Sequence, residues 1–294
     1  MSIPRRIAII VIGALIVVLG LGGLSLVLGD GADPTPEPSP TSTRIVPQER
    51  TLLLQVLDGE SYALGNFLIG IEQDPDVTTI LSIPGSLLVA VGDDTMTLGM
   101  TPSSADTLAA VKGVESTLRG RPDAALALDR LAFAGLVDGV DGVWVDLPTE
   151  VTLPRIGEPG EVRTLGPGWV KLDGVAAADY AVLRLPGESE QTRLTRLQSV
   201  LDRAIQGLPH TSERMRQLLT SLGSLAQSTV PTEELVPFLL QVRWDLNIGD
   251  ARYVELPVTI VRGGVRPASV PGPGALDLVA ELFPDAIVSA DVTG

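Results

Sequence analysis

The chain has 294 residues, no cysteine, one histidine and a formal net charge of -15. Without cysteine there is no disulfide framework, no thiol nucleophile and no lipoprotein anchor, and His210 alone gives a zinc site or a Ser-His-Asp triad little to build on. The acidity excludes nucleic acid as an expected partner, because a phosphate backbone is held by clustered Lys and Arg; it reads instead as a solubility feature.

Residues 7–28 carry no charge, and about 20 such residues cross a bilayer core at helical rise. Arg5 and Arg6 precede them and Asp30 and Asp33 follow. This flank asymmetry predicts a cytoplasmic N-terminus over 1–6, a transmembrane helix over 7–28 and an extracytoplasmic remainder. A cleaved signal peptide is the rival reading. Its apolar region is usually shorter, and Leu28-Gly29-Asp30 is a poor small-residue cleavage site, so an uncleaved single-pass anchor in the cell membrane is expected. Residues 29–49 contain a Pro-, Thr- and Ser-rich run that cannot bury apolar surface and reads as a stalk. A single extracytoplasmic domain is expected over 50–294.

Short apolar runs predict strands over 51–57, 66–71, 77–83 and 87–91, the second and third paired as a hairpin through residues 73–76. Ser104 is expected to cap a helix over 105–118. A strand over 124–128, a helix capped by Asp129 and a strand over 143–147 follow, an order that suggests an α/β layer fold. The C-terminal half reads as more helical, with helices over 173–183, 189–208, 211–225 and 232–246. The second has the strongest apolar stripe: Leu194, Leu197, Val200, Leu201, Ala204, Ile205 and Leu208. A β-prone run at 253–261, a Pro/Gly loop at 271–274 and a helix over 275–283 complete the chain.

Three segments in order carry a family resemblance: Leu81-Ser82-Ile83-Pro84, residues 126–148, and residues 172–201. Together they resemble the extracellular domain of the LytR-CpsA-Psr (LCP) family, whose members move glycopolymers from a polyprenyl-pyrophosphate carrier onto the bacterial cell wall. The resemblance implies an LCP-like central mixed β-sheet flanked by helices. It also implies a site built from arginines and a Mg²⁺ ion, since both stabilise charge moving onto a lipid phosphate.

The matching residues are unevenly kept. The family's Arg-x-Asp aligns with Leu64-Gly65-Asn66, and the Arg-Asp after Ser-Ile-Pro is Gly85-Ser86 here. Tyr180 is followed by Val182 and Arg184, where the family has two arginines. The next motif is complete, as Glu190, Arg193, Arg196 and Gln198. The half implied to hold metal and one phosphate is therefore lost, and the half implied to hold the other phosphate is kept. Arg184, Arg193, Arg196 and Gln198 become the candidate phosphate and lipid site, with no metal ligand and no assigned catalytic residue. No cofactor is expected, and Mg²⁺ enters only if phosphotransferase activity persists. The rival reading makes Arg193 and Arg196 an exposed polar face, paired with Glu188 and Glu190.

Asp93 and Asp94 read as turn formers, and Asp138 and Asp141 as turn and cap residues. Phe133, Trp144, Trp169 and Trp244 line a lipid groove or, by default, pack in the core. Three functions remain open: an envelope protein that binds a polyprenyl-phosphate lipid with little or no catalysis, a residual Mg²⁺-dependent glycopolymer phosphotransferase, and an envelope scaffold with no lipid ligand. The expected partners are the membrane and such a lipid or cell-wall glycopolymer, not nucleic acid.

Overall fold

The computed structural model describes residues 50–72, 77–104, 108–154, 161–261 and 268–287. The expected transmembrane segment, the stalk and the turn at 73–76 lie outside them. Among the described residues no helix is long and apolar enough to cross a membrane.

Strands β1 (Thr51–Leu57), β2 (Ala63–Ile71) and β3 (Thr78–Pro84) open the fold, and the small hairpin β4 (Leu88–Val91) and β5 (Asp94–Thr97) follows. A 3₁₀ turn at Leu98–Ser103 leads to α1 (Ala109–Leu118), β6 (Ala124–Leu128) and α2 (Arg130–Gly139). Four short strands come next: β7 (Val143–Leu147), β8 (Val151–Pro154), β9 (Val162–Leu165) and β10 (Gly168–Leu172). Then come α3 (Gly174–Val182), α4 (Glu190–Gly207), α5 (Ser212–Ser221), β11 (Ala226–Ser228) and α6 (Thr232–Ile248). Strands β12 (Ala251–Glu255), β13 (Val258–Val261) and β14 (Ala268–Pro271) precede the last helix, α7 (Ala275–Leu282).

The main sheet runs β11-β6-β1-β2-β3-β12. It is mixed: β6 pairs parallel with β1 and β12 parallel with β3, while β2 lies between β1 and β3 and is antiparallel to both. Alternation along β1 divides the core. Leu52, Leu54 and Val56 face a layer containing α2 to α6, and Leu53 faces a second layer containing α1 and α7. Covered on both faces, β1 and β2 are buried along their whole length. That explains why they read as continuous apolar runs and not as alternating ones.

Local chemistry sets several boundaries. Asp129 caps α2 by accepting from the Ala132 N–H at 2.7 Å, and Asp173 caps α3 through the Ala176 N–H at 2.7 Å. Ser189 caps α4 through the Thr192 N–H at 3.1 Å. Ser104 is not the cap of α1. It ends the 3₁₀ turn, its N–H bonding the Thr101 carbonyl, and α1 starts at Ala109 without a side-chain cap. The strand-helix-strand order expected over 124–147 is present as β6, α2 and β7, but β7 pairs antiparallel with β10, away from the main sheet. The run at 253–261 divides into β12 and β13 around Leu256-Pro257, because proline has no N–H to continue a ladder.

Candidate functional site

At one end of the sheet a cleft of about 630 Å³ opens between β3 and α4. Its lining residues are Asp58 and Tyr62 from the β1–β2 connection, Pro84, Gly85 and Ser86 after β3, Arg184, Glu190 and Arg193 at the start of α4, and Ile260 and Ala268 from β13 and β14. Two segments that the sequence linked only by resemblance, Ser-Ile-Pro with its altered successor and the arginine motif, thus face the same space. The lining is mainly apolar with a charged rim on the α4 side.

That rim is held by carboxylates of the chain itself. Glu190 sits in the first turn of α4, where the helix dipole favours an anion. Its Oε2 accepts from Arg184 Nη2 at 2.9 Å and its Oε1 from Arg193 Nη2 at 2.9 Å. Arg184 is well exposed, whereas the Arg193 side chain is only 12% exposed. Arg193 Nη1 reaches the Val182 carbonyl at 3.4 Å, and its Nε is buried without a partner. A buried donor left unmade costs about 1–3 kcal/mol.

Arg196 does not line the cleft. One helical turn behind Arg193, it is 6% exposed and forms a two-pronged pair with Glu188, Nε to Oε1 at 2.9 Å and Nη2 to Oε2 at 2.7 Å. Nη2 also donates to the Leu183 carbonyl at 2.6 Å, and the guanidinium lies 4.9 Å from the Tyr180 ring centre. Its Nη1 has no partner. The turn Leu185-Pro186-Gly187-Glu188 makes this pairing possible. The Glu188 N–H bonds the Leu185 carbonyl at 3.1 Å, and Gly187 takes φ +74°, the left-handed third position of a type II turn. The turn folds Glu188 back onto Arg196. Burial pushes the Glu188 carboxyl up, but the Arg196 fork, the Leu185 N–H and nearby Arg193 outweigh it and hold it below its ordinary value.

The candidate residues therefore divide. Arg184 and Arg193 reach the cleft. Arg196 braces the loop beneath it, and half-buried Gln198 lies outside the lining. The rival reading named the right partners, Glu188 and Glu190, and the wrong exposure: Arg196 is buried and the Arg193 side chain is only 12% exposed, so they are not a solvated face.

Asn66 is fully buried, accepting from Gln55 Nε2 at 2.7 Å and donating to the Ala63 carbonyl, and it does not line the cleft. Asp93 and Asp94 lie in the β4–β5 hairpin, where Gly92 supplies φ +63°. Asp138 accepts from the Gly174 N–H, and Asp141 pairs with Lys171. The aromatic groove is corrected. Phe133 belongs to the core, Trp144, Trp169 and Trp244 are more than half exposed, and none of the four lines the cleft. The aromatic residue that does is Tyr62, which the sequence reading passed over. Its signal is the pair Gly85 and Gly99, whose missing side chains make room for the Tyr62 ring.

No family model and no curated protein matches the chain. Solved structures do. B. subtilis TagV superposes with a TM-score of 0.68 at 15% identity, covering 83% of this chain and 98% of that one. Protein gbs0355 from Streptococcus agalactiae gives 0.68 at 14% identity, over 83% and 90%. TagT bound to LIIa-WTA gives 0.65 at 18% identity, over 82% and 91%. At these identities the likeness is one of fold. The mixed sheet flanked by helices is the architecture of these proteins.

Proposed function

We propose that this chain is a divergent member of the LytR-CpsA-Psr family, to which TagV, TagT and TagU belong, and that it binds a polyprenyl-phosphate-type lipid in the envelope with weak or no catalysis. The supporting observation is the cleft itself. A mainly apolar space suited to a lipid chain is bordered by two guanidinium groups suited to a phosphate, Arg184 and Arg193. TagT, which shares the fold, is bound to wall teichoic acid glycopolymer in two structures. The anchor over 7–28 and the stalk over 29–49 place the domain outside the membrane in this reading. Weak catalysis follows from Gly85-Ser86, since removing even one preorganised donor costs roughly a hundredfold to a thousandfold in rate.

Native mass spectrometry of the full chain, released from mild detergent, tests this. The expected result is an adduct with the mass of a polyprenyl phosphate that is lost in Arg193→Glu. An adduct retained in that variant removes the arginine site from the proposal. A second reading, a scaffold without lipid, has one observation in its favour: both cleft arginines are already paired with Glu190. A bare mass that persists after incubation with polyprenyl phosphate selects it.

A further inference from the structure

The resemblance implies a divalent cation on the side of the cleft opposite α4, so the residues standing there decide whether this chain can hold one. They do not fit. Mg²⁺ takes oxygen ligands in near-octahedral geometry, ordinarily including one or two carboxylates besides the phosphate oxygens. Gly85 offers no side chain, and the Ser86 hydroxyl is in a hydrogen bond with the Ser269 hydroxyl at 3.1 Å. Asn66 spends its amide inside the sheet, on Gln55 and Ala63.

The cleft's two carboxylates are committed elsewhere. Asp58 Oδ1 accepts from the Glu60 and Tyr62 N–H groups at 2.9 and 3.0 Å, which shapes the turn that carries Tyr62. Glu190 has one oxygen on Arg184 and the other on Arg193. Among the described residues no group of three or more His, Asp or Glu side chains stands together.

The space is taken as well. A Cβ at Gly85 would lie 2.7 Å from the Ala63 carbonyl oxygen and 3.1 Å from the Tyr62 hydroxyl, and one at Gly99 would enter the Tyr62 ring. The phenol thus fills the place that a longer side chain after Ser-Ile-Pro would need. What remains for an anion is cationic protein, the Arg184 and Arg193 side chains that line the cleft.

From this donor set we infer that the cleft holds its phosphate on guanidinium groups without a divalent cation, and that Glu190 is the internal competitor the phosphate must displace. The inference rests on the proposal that the cleft is a phosphate site. A dianionic phosphate brings more charge and more acceptor oxygens to the two arginines than one carboxylate does, so the exchange favours it.

Isothermal titration of the full chain in mild detergent with geranyl phosphate tests both parts, with geraniol as the uncharged control. The affinity is expected to be the same within about twofold in EDTA and in Mg²⁺, and to tighten by about threefold to tenfold in Glu190→Gln, which removes the competing charge. A gain of about tenfold or more on adding Mg²⁺ overturns the inference and leaves the phosphate site standing. Unchanged affinity in Glu190→Gln overturns the competitor role. No binding beyond that of geraniol, in either buffer and in both proteins, overturns the phosphate site itself.

Discussion

Arg196 and Glu188 show how burial changes the worth of an ion pair. Both side chains are almost wholly buried, 6% and 5% exposed, so neither charge has water to fall back on. Arg196→Met leaves Glu188 with the Leu185 N–H as its hydrogen bond and Arg193 as the nearby charge, and the expected cost is about 3–5 kcal/mol. Urea unfolding of Arg196→Met, Glu188→Gln and the double variant measures it. The double variant should recover part of the loss, and strict additivity would mean that the two groups do not act as a pair. The Glu188 carboxyl titrates below its ordinary value of 4.5. Its contribution is therefore complete above that value and is lost as pH falls through the depressed folded pKa. Gly85 illustrates the opposite constraint. Gly85→Arg, which restores the residue type the family resemblance leads one to expect, meets the Ala63 carbonyl and Tyr62. It should destabilise by about 1–3 kcal/mol in the same assay, as overpacking does.

At the scale of elements, capping separates signals that look alike in sequence. Asp129→Ala should cost about 1 kcal/mol, because its carboxylate holds the Ala132 N–H of α2. Ser104→Ala should not loosen α1, which begins at Ala109 with no side-chain cap; a thermal melt of each variant distinguishes them. Helix α4 also carries Asp202, whose carboxyl is near Tyr253 of β12. Burial drives the Asp202 carboxyl up to about 7, against the pull of Tyr253 and Arg203. The folded state then keeps a proton that the unfolded chain has lost, so this group lowers stability as pH rises from its ordinary 3.8 towards about 7. Asp202→Asn should flatten that slope and raise stability at pH 8 by on the order of 1–3 kcal/mol. Denaturant midpoints at pH 5 and pH 8 supply the comparison, and parallel curves for the two proteins would remove Asp202 as the cause.

For the whole molecule, the two core layers depend on segments far apart in the chain. Helix α7 buries Val279 and Leu282, and Phe283 beyond it packs on β2 at Gly70, where a Cβ would stand 2.6 Å from the ring. The Ala286 carbonyl takes the Arg121 N–H at 2.7 Å. Burial of a large apolar side chain is worth about 1.5–3 kcal/mol, so these three are comparable with the about 5–15 kcal/mol that holds a domain folded. Ending the chain at residue 274 should abolish cooperative unfolding, a loss visible in a urea titration followed by tryptophan fluorescence. A truncated chain that keeps its midpoint would show α7 to be peripheral.

The amino-acid sequence by itself determined what is local. Apolar runs place β1, β6 and β7 residue for residue, and the apolar stripe with its serine start places α4, because strand and helix periods and caps act within a few residues. Pairing was not legible. That β12 and β11 close the two edges of the sheet, or that β7 joins β10, depends on contacts between distant segments whose apolar runs look alike. The site is divided in the same way. The family resemblance put Arg193 and Arg196 in one motif, and their spacing sets them one turn apart on α4. Only the tertiary structure decided that Arg193 faces the cleft while Arg196 turns to Glu188, and that Tyr62 fills the notch at Gly85 and Gly99. Side-chain direction and burial are set by what the rest of the chain brings alongside, and no spacing within one segment encodes that.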